Sequence, residues 1–156
     1  CAHGGLLYFC PHCASDIMVL EPASQQVSFI ATGKAGRRGI SQWSGVCAHG
    51  GLLYFCPHAA SDIMVLEPAS QQVSFIATGK ERQSWSGMCA HGGLLYFCPD
   101  SASDIMVLEP ASQQVSFIAT GKERRLSWSG MCAHGGRLYF CPHAASDIMV
   151  LEPASQ

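Results

Sequence analysis

Cys47, His49, Cys56 and His58 place two thiols and two imidazoles within 12 residues, and the spacing recurs as Cys1, His3, Cys10, His12 and as Cys132, His134, Cys141, His143. Thiolates and imidazoles are the donors zinc takes in closed tetrahedral sites, so a zinc-stabilised repeat protein is one reading of the chain. The spacing works against it. A turn at Gly50–Gly51 pairs His49 with Leu52 and Cys47 with Tyr54, which leaves Cys56 a diagonal step away and His58 at the far end of the hairpin. In the third copy Asp100 takes the place of the last histidine. Core thiols and surface histidines are expected instead, with no metal and no cofactor.

A second string with chemical meaning is Cys10–Pro11–His12–Cys13, which resembles the redox pair of disulfide-oxidising thioredoxin-fold enzymes. That pair works by opening a helix whose N-terminus lowers the first thiol's pKa. Here it closes an apolar run and enters a polar turn, and its second cysteine is Ala59, Ser101 or Ala144 in the other copies. No Gly-rich phosphate loop, nucleophile elbow or His-Glu metalloprotease motif is present in the sequence. The chain is therefore expected not to be an enzyme.

These residues sit in a unit of 42 to 46 residues written nearly four times: copies 1–46, 47–88 and 89–131, and a shortened copy 132–156. A period of that size marks an array in which each copy is a supersecondary unit that buries its apolar surface only by stacking on its neighbours. The array begins and ends inside a copy, with Cys first, and reads as a fragment of a longer chain. Within the second copy, Val46–His49 meets Leu52–Pro57 across Gly50–Gly51, a pair suited to a two-residue hairpin because both positions accept positive φ. Asp62–Glu67 follows, its run Ile63–Met64–Val65–Leu66 implying burial on both faces. Glu67–Pro68–Ala69–Ser70 supplies a turn, and a fourth strand is predicted over Val73–Thr78. A helix over Ser70–Ala77 competes for that last segment, but the stretch is short and carries Val73, Phe75 and Ile76.

Four short antiparallel strands with both faces apolar predict an all-β fold, a β-propeller of four-stranded blades, either part of a propeller or a four-bladed ring. The segment Asp62–Ile63–Met64–Val65–Leu66–Glu67–Pro68–Ala69–Ser70–Gln71–Gln72–Val73 resembles the repeats of YVTN-type and related β-propellers. The WD40 signature is absent, and kelch is matched only in part because Gly50–Gly51 precedes its apolar strand. The resemblance implies the propeller fold and names no activity.

The copies Cys47–Lys80 and Cys89–Lys122 differ at two positions, and length varies only between the fourth strand and the next tryptophan. Those loops carry eight of the nine basic residues, namely Lys34, Arg37, Arg38, Lys80, Arg82, Lys122, Arg124 and Arg125. They are expected on one side of the blades with the loops between second and third strands, beside Asp16, Asp62, Asp104 and Asp147. A solvated rim is the plain reading. The sharper one is a groove for an acidic peptide or phosphate, with a binding surface of Arg37, Arg38, Arg82, Arg124 and Arg125 beside Trp43, Trp85 and Trp128, since Trp and Arg dominate interface hot spots. Packing between blades is the competing role for the tryptophans. The other side repeats His49 and Glu67 in each copy.

Apolar residues make up 48% of the chain and charged ones 13%, which excludes a disordered segment. No apolar run reaches the ~20 residues that span a bilayer, and a net charge of −2 attracts neither nucleic acid nor an anionic membrane. Nine cysteines follow from duplication, and an odd number gives no disulfide framework, so reduced thiols and an intracellular setting are favoured. The reading as a whole is a non-catalytic binding scaffold with a protein or peptide partner, able to self-associate through unpaired blade edges. Its alternative is a segment of a larger, hydrolase- or lactonase-like propeller enzyme whose site lies in other blades.

Overall fold

Each Gly-Gly pair turns the chain as its two positive φ angles require, 56° and 80° at Gly50 and Gly51, with matching values in the other copies. The computed structural model describes residues 1–34, 42–81, 83–121 and 127–153. They form fifteen strands. The first sheet holds β1 (Ala2–His3), β2 (Leu6–Phe9), β3 (Asp16–Glu21) and β4 (Gln26–Ala31). The second holds β5 (Trp43–His49), β6 (Leu52–Pro57), β7 (Asp62–Glu67) and β8 (Gln72–Ala77), and the third β9 (Trp85–His91), β10 (Leu94–Pro99), β11 (Asp104–Glu109) and β12 (Gln114–Ala119). The fourth holds β13 (Trp128–His134), β14 (Arg137–Pro142) and β15 (Met149–Leu151). Strands follow chain order in every sheet and pair antiparallel. Among the described residues there is no helix, and none therefore long and apolar enough to cross a membrane.

The register places His49 opposite Leu52 and Cys47 opposite Tyr54, as the turn dictates. Two boundaries differ from expectation. β8 runs Gln72–Ala77, one residue earlier than predicted, because the turn is completed by Gln71 at φ 57°, a left-handed conformation. β5 begins at Trp43 rather than Val46, because a bulge carries the pairing onward: Val46 faces Phe55 and the next pair is Trp43 with Pro57. Gly45, at φ 96°, supplies the conformation such a bulge demands. Gly87 and Gly130 repeat it at φ 85° and 87°.

The bulge turns each tryptophan inward. Trp43, Trp85 and Trp128 are 1%, 0% and 1% exposed, and each indole N–H donates to the carbonyl of the aspartate at or just before its own blade's third strand: Asp62 at 3.1 Å, Asp104 at 3.0 Å and Asp147 at 3.1 Å. A buried indole without that acceptor would cost about 1–3 kcal/mol.

Strand alternation gives each blade two apolar faces, one led by its tyrosine and one by its phenylalanine. The chain divides into two compact units, Cys1–Arg82 and Gln83–Gln156. In the first, the tyrosine face of the first blade (Tyr8, Ile17, Val19, Ile30) packs on the phenylalanine face of the second (Trp43, Leu53, Phe55, Met64, Leu66). The second unit repeats the arrangement, with Tyr96, Cys98, Ile105 and Val107 against Trp128, Leu138 and Phe140. Burying side chains of this size contributes about 1.5–3 kcal/mol each. In the first unit Lys34 adds a polar clasp: its Nζ lies 2.5 Å from Asp62 Oδ2 and 4.1 Å from the centre of the Phe75 ring, which itself stacks on Trp43 at 6.2 Å. In the second unit the inner strands β9 and β13 approach so closely that a Cβ on Gly87 would lie 2.9 Å from Gly130 Cα.

Candidate functional site

The loops that enter each blade and those between its second and third strands are knitted together by backbone hydrogen bonds. Gln42 N–H donates to His12 O at 2.7 Å, and Gln42 O accepts from His58 N–H at 2.9 Å and Ala60 N–H at 3.2 Å. A single residue before the tryptophan thus ties the loop of one blade to that of the next. Ser84 and Ser127 hold the same place in the second unit, where Ser84 O accepts from Asp100 and Ala102, and Ser127 O from His143, Ala144 and Ala145. Threonines fix the other end: Thr32 Oγ1 donates to Ser15 O at 2.6 Å, and Thr78 Oγ1 to Ser61 O at 2.8 Å.

Side chains on this loop side differ from blade to blade, whereas the strands beneath them are nearly the same. In the first unit the rings of His12 and His58 are 6.3 Å apart, and Cys13 Sγ is 3.4 Å from His12 Nδ1. In the third blade Ser84 Oγ contacts Ser101 Oγ at 2.7 Å and donates to Asp100 Oδ2 at 3.1 Å. In the fourth, Ser127 Oγ lies 3.3 Å from His143 Nδ1. Over Cys89–Lys122, Asp100 and Ser101 are the two residues by which the third copy departs from the second. Both differences therefore fall on one small polar network centred on Ser84. Sequence reasoning missed Gln42, Ser84 and Ser127; the available signal was that the residue before each tryptophan is polar, glutamine once and serine twice.

Of the expected Arg–Trp surface, only the tryptophans lie among the described residues. Trp43, Trp85 and Trp128 are buried and hydrogen-bonded within their own blades, so they hold the fold and leave the candidate surface. Arg37, Arg38, Arg82, Arg124 and Arg125 lie outside the described residues.

The structure also separates the thiols and imidazoles. Cys56 is fully buried, Cys47 half-buried on the neighbouring strand, His49 at the hairpin and His58 in the loop beyond the strand's far end. Among the described residues no three His, Cys, Asp or Glu side chains converge as a metal site would require. Burial pushes the Cys10 thiol up to about 12, against a smaller opposing pull from the Gly45 backbone, which is the reverse of what a redox pair needs. Cys98 is likewise raised to about 12 by burial beside the Gly130 backbone. On the opposite side the repeated glutamates serve their own turns. Glu21 and Glu67 accept from Ser24 and Ser70, each at 2.5 Å, and Glu109 from Ser112.

Comparison with solved structures places this arrangement. The chain is similar to a streptogramin B lyase (TM-score 0.84, 13% identity, 99% of this chain and 50% of that one) and to virginiamycin B lyase from Staphylococcus aureus (TM-score 0.80, 12% identity, 99% and 54%). It is also similar to a chain of a nidogen/laminin complex (TM-score 0.72, 13% identity, 97% and 56%). It spans about half the length of each. Identities this low carry the fold and no chemistry, and the fold is a β-propeller built of repeated antiparallel sheets. No family model and no curated protein matches the sequence.

Proposed function

We propose that the chain is a non-catalytic binding scaffold whose loop side recognises a protein or peptide. The observation that carries this reading is the placement of the differences between copies. Over Cys47–Lys80 and Cys89–Lys122 the strand and hairpin residues of the second and third copies are identical, and the two differences in that span, Asp100 and Ser101, meet Ser84 at the loop surface. Changes confined to one polar surface over an unaltered frame are how a repeat array acquires specificity, because loops vary without disturbing the packing below. The His, Asp and Ser donors and acceptors at these loops suit the backbone and polar side chains of a peptide. The net charge of −2 gives nucleic acid and anionic membranes no advantage.

An enzyme of the propeller class gathers unlike residues from several blades around its channel. The inner strands Trp43–His49, Trp85–His91 and Trp128–His134 offer nearly the same residues, which favours repeated contact over catalysis.

The test starts from peptides selected from a displayed random library against the chain. Their affinities are then measured for D100H/S101A and H12A/H58A on the loop side, and for E21A/E67A/E109A on the other. A loss of ~10-fold or more confined to the loop-side variants supports the proposal. Peptides that bind all variants alike, or that lose affinity only with the glutamate variant, overturn it.

A further inference from the structure

We infer that copies of this chain join edge to edge, the outer strand β8 of one pairing antiparallel with the same strand of another so that two second blades become one continuous sheet. Among the described residues β8 has β7 on one side and no strand on the other. Its six residues Gln72–Ala77 recur unchanged in β4 and β12, so the chain offers this edge three times.

The phase of the hydrogen bonds decides which backbone groups the edge presents. Thr78 N–H donates to Ser61 O at 3.1 Å, so the pairs that exchange bonds with β7 are every second one: Ile63 with Ile76, Val65 with Ser74 and Glu67 with Gln72. The N–H and C=O groups of the alternate residues, Val73, Phe75 and Ala77, therefore point away from β7. Among the described residues these groups meet no backbone partner on that side. Thr32 to Ser15 and Thr120 to Ser103 repeat the same phase in the first and third blades.

Sheet edges that face water are ordinarily guarded by charge, by proline or by a bulge. The inner strand of this blade carries such a guard, the bulge between Trp43 and Val46. Its outer strand carries none. β8 pairs with β7 at six consecutive positions without a shift in register, and from Ala69 to Gly79 there is neither a charged residue nor a proline. A six-residue strand of Val, Phe and Ile with no charge is the kind that accepts a further strand.

The occupant follows from the same residues. An antiparallel pairing centred on Phe75 sets it against Phe75 of the second copy and sets Val73 against Ala77, so every outward N–H and C=O of one edge meets its complement on the other. Ser74 falls opposite Ile76, and Gln72 opposite Thr78. No like charges meet, because Glu67 and Lys80 lie beyond the residues that pair. Phe75 is 36% exposed and already stacked on Trp43 at 6.2 Å, which holds its ring in place for a cross-strand aromatic pair. The edge has no charge with which to select an acidic or basic partner, whereas its own sequence fits it. The contact is isologous, the same surface serving on both copies.

Light scattering on the 156-residue chain tests this with S28K/S74K/S116K and S28E/S74E/S116E, which charge an exposed position of each outer strand and leave the loop side untouched. Circular dichroism confirms that each variant keeps its β-sheet. The unaltered chain should exceed its monomer mass of 16.7 kDa as concentration rises. In either variant like charges stand diagonally across the junction, so each alone should need a concentration about 10-fold higher or more to associate, and an equal mixture should recover the association. Amide hydrogen exchange on the unaltered chain supplies a second readout. Protection at Val73, Phe75 and Ala77 should rise with concentration, while Ser74 and Ile76, already bonded to β7, stay as they are. The inference is overturned by an unaltered chain that remains monomeric, by variants that associate as readily as it does, or by a mixture no stronger than its components. Exchange at the three outward amides that ignores concentration overturns it as well.

Discussion

Replacing Gly87 by alanine should cost about 2–5 kcal/mol, against about 1–2 kcal/mol for the same change at Gly130. The two glycines occupy equivalent bulges with φ of 85° and 87°, so an alanine pays nearly the same backbone penalty at either. Their surroundings differ. A Cβ at Gly87 meets Gly130 Cα at 2.9 Å and Gly130 N at 3.3 Å, both backbone atoms that cannot rotate away, whereas a Cβ at Gly130 meets nothing within 4 Å. The difference between the variants therefore isolates the close approach of β9 to β13, at about 1–3 kcal/mol for overpacking. For a chain of this length that is about 2–12 °C in melting temperature, followed by far-ultraviolet circular dichroism. Equal melting temperatures for the two variants would refute the close contact, and a larger loss at Gly130 would reverse the assignment of which strand lacks room.

Alkylation of the native protein should label Cys1, Cys13, Cys132 and Cys141, which are exposed, and spare Cys56 and Cys98, which are 0% exposed; peptide mapping that finds Cys98 labelled as fast as Cys13 contradicts the packing. Stability should fall as pH rises above 9.0 towards about 12, because Cys10 and Cys98 stay protonated when folded while the unfolded chain releases their protons. The slope approaches about 1.4 kcal/mol per pH unit for each thiol, and a Cys98→Ala variant should show a shallower decline in denaturant midpoint. Lys34→Met keeps an apolar stem over Phe75 but removes the ion pair with Asp62, a loss of about 0.5–1 kcal/mol that should shrink in high salt; an unaltered salt dependence would show that the pair contributes nothing.

Much of one blade was legible in the chain because local rules govern it. Gly50–Gly51 fixes the hairpin, the hairpin fixes His49 against Leu52, and the apolar run of Asp62–Glu67 marks a strand buried on both faces. The bulge was not legible because Trp43–Ser44–Gly45 carries no alternating pattern; a glycine inside the strand is its only sign. Nor does a glutamine announce the left-handed turn position that Gln71 takes. The candidate site was half legible. Loop length and composition drew attention to the loop side, but the meeting of Ser84 with Asp100 and Ser101 joins residues 16 and 17 positions apart through folding alone. Phe9 and Phe55 have the same neighbours in sequence yet are 41% and 0% exposed, so burial here depends on which blade stands beside them.

The repeated pairing of one tyrosine face with one phenylalanine face carries a lesson about heredity as well as packing. An interface that is the same in both units holds no record of how many times it is used. Inserting one more unit, or deleting one, between two existing blades leaves the new neighbours meeting through the side chains the old ones used. Gene segments of this kind lengthen or shorten by unequal crossing-over without a stability barrier at the junction. Blade number is then set by what closes or caps the array, and selection acts on the ends before it acts on any blade within.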